Sequence, residues 1–263
     1  MKKIHVFILV VICVMIGFSS GYLFRDTTTP KPEVIEQSSS FEVYEEFASN
    51  HILEIFVNTV NVNLRVLPSN NRNIRMIYRP SVEPSNYEYY IENKIMYMNV
   101  DEVEKSNSIV PSNREMIYLY LPKDTDVTLH YTSDSGFLDV SEVDLRHLLV
   151  DTKSGIVSLS KVDVALDIDV TTVSGKVILK ELLFSNLVVN TNTALVSCTL
   201  PVLENEYEVH FTTSEGNVLV NEVEYKEYVR ECEGNHKIEI VTRSGDIRVK
   251  MEEISENESE VNV

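Results

Sequence analysis

The residues with chemistry to offer in this chain are six histidines, scattered acidic clusters, a recurring Thr-x-Ser-Gly stretch and a pair of tyrosines in MIYLYL. The histidines stand at 5, 51, 130, 147, 210 and 236, and no two share the short spacing of a metal site. His130 and His210 neighbour apolar strand positions and are expected to point outward. The clusters DSGFLDVSEVD and DVALDID match neither an EF-hand loop nor the Gly-rich nonapeptide of calcium-binding β-rolls. A nucleophilic hydroxyl needs a base within reach, and no copy of Thr-x-Ser-Gly carries a His or Lys at a constant offset. Phosphate-cradling Gly loops, zinc-type cysteine pairs and nucleophile elbows do not occur. The chain therefore reads as non-enzymatic, with no catalytic residue, no metal ligand and no cofactor. In MIYLYL, Ile117, Leu119 and Leu121 alternate with Tyr118 and Tyr120. Those two tyrosines are the ligand-binding candidates, able to stack on a sugar or peptidoglycan fragment, although tyrosine also covers a half-exposed sheet well.

The Thr-x-Ser-Gly stretches are better explained as structure. Aligned on Gly136, Gly155, Gly175, Ala194, Gly216 and Gly245, the chain shows apolar residues or Tyr at offsets −7, −5, +2 and +4 in all six copies. Leu148, Val150, Val157 and Leu159 form one such set, and Ile168, Val170, Val177 and Leu179 the next. Alternation of this kind on both sides of a bend predicts strand, corner, strand. The corner column holds Ser133, Thr152, Thr172, Thr191, Thr213 and Thr242, whose hydroxyls can bond along a stack. Glycine at Gly136, Gly155, Gly175, Gly216 and Gly245 suits a bend of positive φ. The fourth copy, TNTALVSC, lacks both Ser and Gly, so a different turn is expected there. A third apolar column, Val143, Val162, Leu182, Pro201 and Val223, suggests a short return segment. The expected fold is all-β: a single-domain β-solenoid or β-helix-like repeat stack, one repeat per coil, following an N-terminal transmembrane helix. A row of hairpins turning at Ser-Gly is the competing arrangement.

Around this body the composition shifts. Residues 4–24 are apolar apart from His5, Ser19 and Ser20, follow Lys2-Lys3, and are long enough to span a bilayer. They read as a membrane anchor with the N-terminus cytoplasmic and the body extracytoplasmic, or as a cleaved signal peptide that leaves the body secreted. The expected division is an anchor at 1–25, a Thr/Pro/Ser-rich flexible spacer at 26–40, the solenoid at 41–250 with repeats from about 127, and an acidic disordered tail at 251–263. The net charge is −18, and the three basic residues before position 26 leave about −21 on the remainder. Such a body repels phosphate backbones, which excludes a nucleic-acid partner. Cys198 falls on an inward column, where a thiol serves as a small core residue. Cys232 lies in the long insert EYKEYVRECEGNHK, and a bridge between the two is the alternative.

The runs VTLHYTSDSGFLDV, VDTKSGIVSL, VTTVSGKVIL, FTTSEGNVLV and VTRSGDIRVK, preceded by IYLYLPKD, resemble the bacterial putative-adhesin domain, also called toastrack. The resemblance covers roughly residues 41–250. It implies a β-solenoid-like fold behind an N-terminal membrane segment, and similarity to the Lia-type accessory proteins of envelope-stress signalling. It supplies no catalytic residues. The expectation is a membrane-anchored envelope protein whose solenoid face meets a protein partner, with a glycan-binding adhesin as the alternative. A polysaccharide-active β-helix enzyme is a third reading, but it would need a constant column of basic and acidic residues on one face.

Overall fold

The computed structural model describes residues 43–79, 87–100, 116–123, 125–201, 207–232, 234 and 236–252, all within the compact unit Phe41–Val263. The expected anchor at 4–24 and the spacer at 26–40 lie outside them. Among the described residues no helix is long and apolar enough to cross a membrane.

The alternating sequence folds into two facing sheets. The front sheet has ten strands, hydrogen-bonded in the order Glu227–Arg230, Tyr207–Thr213, His236–Thr242, Asn186–Thr191, Asp167–Thr172, His147–Thr152, Thr128–Ser133, Glu54–Thr59, Ile95–Val100 and Tyr87–Glu92. The rear sheet has eleven, in the order Val43–Ala48, Asn73–Arg79, Met116–Pro122, Asn63–Ser69, Phe137–Ser141, Ile156–Ser160, Lys176–Lys180, Leu195–Pro201, Ile247–Glu252, Val218–Val220 and Val223–Tyr225. Strands of successive coils pair in parallel, with Leu148 opposite Leu129 and Ile168, and Val157 opposite Leu138 and Val177. Parallel pairing in register excludes the row of hairpins, because a hairpin pairs its two arms antiparallel. All 24 inward positions of the six aligned copies are buried, none more than 4% exposed. Stacking identical columns is what lets each thin coil cover its apolar face.

Three expectations need correction. The repeats begin well before residue 127, within the span expected for the solenoid. Ile55, Val57, Leu64 and Val66 form a coil under the first aligned copy, with Thr59 in the hydroxyl column and Val62 in the glycine position. Met96, Met98, Ile117 and Leu119 form another beneath that. The first carries Val62 and not glycine at its corner, and the sequence from 101 to 115 holds no glycine, so alignment on glycine passes over both. The third column holds only in part. Val143, Val162 and Leu182 are buried beside Leu145, Val164 and Phe184, and the short strands Asp144–Leu145 and Asp163–Val164 pair in parallel. Val223 is instead 54% exposed, because the chain reverses at Asn221-Glu222, both of positive φ, into an antiparallel hairpin. Finally, the last strand runs to Glu252, two residues into the predicted tail.

The coil order also differs from the chain order. The sixth aligned copy sits between the fourth and the fifth: His236–Thr242 pairs with both Asn186–Thr191 and Tyr207–Thr213. After the fifth coil, the segments Val223–Tyr225 and Glu227–Arg230 fold back antiparallel on its outer edge. The last coil therefore lies between copies four and five, paired in parallel with both. At the other end Asn73–Arg79 and Tyr87–Glu92 cap the two sheets in the same antiparallel manner.

Candidate functional site

The corners come first, since they hold the repeated hydroxyls. Thr152 Oγ1 donates to the Ser154 carbonyl at 3.1 Å, and Thr172 Oγ1 to that of Ser174 at 2.9 Å. Ser133, Thr213 and Thr242 instead accept from the backbone N–H of Gly136, Gly216 and Gly245. Hydroxyls also reach between coils: Thr59 to Ser133 at 3.0 Å, and Thr191 to Thr242 at 2.9 Å. Each is engaged in holding a turn, and no histidine is among these partners.

The positive φ expected at the five corner glycines holds at two of them, Gly155 and Gly175. What the five share is close approach along the stack. A Cβ on Gly175 would lie 1.9 Å from the Gly155 carbonyl oxygen, on Gly245 1.9 Å from that of Ala194, and on Gly216 2.2 Å from that of Gly245. A second left-handed corner holds charged residues in place of glycine: Glu142, Lys161 and Glu181 adopt φ of 56°, 55° and 50°. Each falls six residues after its glycine, and that constant offset was the available signal.

Tyr118 and Tyr120 point out of the rear sheet at its capped end, half-buried. Each ring is covered by a guanidinium: Arg79 lies 5.1 Å from the Tyr118 centroid and Arg75 4.8 Å from that of Tyr120. Register places Tyr44, Ile77, Tyr118 and Arg65 in one row, with Glu46, Arg75 and Tyr120 alongside. Arg65 also meets Asp139 at 3.0 Å. Three arginines and three tyrosines thus share one outer face of an acidic molecule. Their planar guanidinium groups over aromatic rings form a grid suited to protein contact, since Arg and Tyr are enriched at interface centres. Sequence reading found the tyrosines. Arg75 and Arg79 come from a strand some 40 residues earlier and Arg65 from the strand before it, joined to the tyrosines by pairing alone.

The front sheet carries an aromatic ladder. Tyr90, Tyr97, Phe56 and His130 face outward on adjacent strands, with centroids 4.9, 5.3 and 4.0 Å apart and planes within 20° of parallel. Beside it the Asn58 amide donates to Asn99 at 2.9 Å. Separations near the ~4.8 Å strand spacing mean that the rings stand on edge and cover one another's faces. Burial holds the His130 imidazole below its ordinary range, against the opposing pull of Glu54. No sequence run announced this row, because its members come from three separate segments.

Farther along the same face, Asp167 and Asp169 of the DVALDID cluster line a shallow depression of about 500 Å³ with Asn186, Glu208, His236 and Lys237. Burial, then the neighbouring Asp167, raises the Asp169 carboxyl above its ordinary value. His147 lies 3.7 Å from Asp167, and His210 meets Glu227 at 2.7 Å. Among the described residues no three His, Cys, Asp or Glu side chains are grouped to hold a metal ion. Cys198 and Cys232 are both free thiols, and burial pushes the Cys198 thiol far up.

The family model for Toastrack DUF4097 matches residues 52–259. The chain belongs to the toastrack family. Among solved structures it is similar to a "putative cell adhesion protein" from Clostridium sporogenes, at 16% identity over 81% of this chain and 100% of that one, with a TM-score of 0.44. A "putative adhesin" from Bacteroides fragilis is 10% identical over 82% and 99%, with a TM-score of 0.43. A "putative lipid binding protein" from Parabacteroides distasonis is 10% identical over 80% and 96%, with a TM-score of 0.29. The comparison with curated proteins finds no match. For this toastrack domain the family match fits the repeat pattern and assigns no role to any side chain.

Proposed function

We propose that this toastrack protein is a non-enzymatic, extracytoplasmic binding scaffold, tethered to the membrane by residues 4–24, that docks a protein partner of the cell envelope on its rear face. The observation that carries the reading is the grid of Arg65, Arg75, Arg79, Tyr44, Tyr118 and Tyr120. Its Arg and Tyr composition is that of an interface centre, on a body whose overall charge is strongly negative. The flexible spacer at 26–40 would let a tethered body reorient toward its partner. The resemblance to Lia-type accessory proteins is what supports a place beside envelope-stress signalling.

The test is in-cell photocrosslinking of the full-length protein, with the probe at Tyr118 or, for comparison, at the mid-stack residue Ile178. A partner captured from Tyr118 and not from Ile178, and lost on Arg75→Glu, supports the docking face. Equal capture from both positions, or none from Tyr118, defeats it. The glycan-binding alternative keeps Tyr118 and Tyr120 as its residues. It predicts that envelope polysaccharides bind the purified protein and release on Tyr118→Ala/Tyr120→Ala.

A further inference from the structure

Beyond its last parallel coil, the front sheet ends on the strand Tyr87–Glu92. Among the described residues this strand pairs only with Ile95–Val100, so its far side is an open edge of the sheet. An open edge presents backbone donors and acceptors ready for another strand. The outward side chains here are Glu88, Tyr90 and Glu92, all exposed. Tyr90, 43% exposed, is the terminal ring of the aromatic ladder. On the opposite side of the strand Ile91 is 42% exposed.

We infer that this edge is a strand-addition site for an extended peptide carrying a cation, an aromatic residue and a second cation at alternating positions. An added strand lies one strand spacing away, so its residue opposite Tyr90 falls at the separation already seen three times along the ladder. The positions beside that residue face Glu88 and Glu92, and opposite charges across a strand pair stabilise it while like charges oppose it. A second copy of this chain is disfavoured on the same ground. Antiparallel self-pairing centred on Tyr90 sets Glu88 against Glu92 of the other copy. Acids on an edge can serve simply to prevent self-association, but that role does not require an exposed ring at the end of a stacked row. The other end of the sheet makes the contrast: there the corresponding row is Glu239, His210 and Val229, with no stacked rings. This edge lies on the opposite sheet from the arginine–tyrosine grid and does not depend on it.

The test is fluorescence anisotropy of a labelled peptide, TKVYVKT, with the detergent-solubilised full-length protein. Controls are the reversed-charge TEVYVET and KKTVTVY, which has the same composition in a different order. TKVYVKT should bind at least about ten-fold more tightly than either control. Tyr90→Ala should remove that advantage, Tyr90→Phe should keep it, and Glu88→Lys/Glu92→Lys should transfer the preference to TEVYVET. Arg75→Glu should leave all of this unchanged, which separates the edge from the docking face. Equal binding of TKVYVKT and KKTVTVY would show general attraction to an acidic surface and overturn the inference. So would a preference that survives the charge swap, or no binding by any of the three.

Discussion

The middle of the stack and its C-terminal end use the same repeat but obey different rules. From Thr128 to Thr191 each coil lies on the one before it, glycine over glycine, and three of the corners rest on Gly136, Gly155 and Gly175. From Tyr207 onward the chain passes over a place, builds the fifth coil, caps it with Val223–Arg230, and returns to fill the gap. The middle is held by neighbours close in sequence. The end is held by a strand that comes last in the sequence, so the fifth coil should depend on residues that follow it.

The largest expected effect tests that dependence. Truncation after Glu231 removes the sixth coil, which lies between the fourth and fifth. If coils simply stacked in chain order, the fifth would stay folded on the fourth. The interleaved order predicts instead that amides of Tyr207–Arg230 lose protection in hydrogen exchange, while those of Thr128–Thr172 keep it. Undiminished protection across Tyr207–Thr213 would contradict the interleaving.

Next is the glycine column in the regular part. Gly175→Val places a side chain against the Gly155 carbonyl in a left-handed backbone, whereas Lys176 is half-exposed on an outward row. The first change should cost about 4 kcal/mol or more, and Lys176→Val less than about 1 kcal/mol. Urea unfolding midpoints of the two variants decide it, and equal midpoints would remove the close-approach argument. At Cys198, one coil farther on, Cys198→Val should cost no more than about 1.5 kcal/mol, since the site is a small apolar rung. Native Cys198 should react with thiol reagents only on unfolding, and rapid labelling would show the rung to be open.

Smaller effects sharpen the picture of the corners and the ladder. Glu181→Gly relieves a left-handed residue and should raise stability by up to about 1 kcal/mol, net of the entropy glycine adds to the unfolded chain. A drop in melting temperature would mean that the Glu181 side chain matters more than its backbone. His130 offers a pH test. Its folded pKa is depressed, so the fold prefers the neutral ring. Its contribution is complete above the unfolded pKa of about 6.5 and is lost as pH falls through the lower folded value. Melting temperatures between pH 7.5 and 5 should therefore fall less steeply in His130→Gln than in the parent. Identical slopes would place the pH dependence elsewhere.

What the sequence by itself determined is the content of each coil. Period-two alternation names the inward residues, because a strand sends successive side chains to opposite faces and only one face is covered. It also marked the corners at Gly136, Gly155, Gly175, Gly216 and Gly245, and the outward aspect of Tyr118 and Tyr120. It could not fix the order of the coils, since every coil offers its neighbours the same apolar columns and nearly any stacking would bury them. The tertiary structure decided that order through its ends, where antiparallel caps close one edge and leave another open to the last coil. The same long-range pairing assembled the surfaces with binding potential. Arg75 and Arg79 meet Tyr120 and Tyr118 across an antiparallel register, and Tyr90, Tyr97, Phe56 and His130 form one row only because three separate segments pair side by side. Such rows run across strands, perpendicular to the chain, and for that reason no window of consecutive residues contains them.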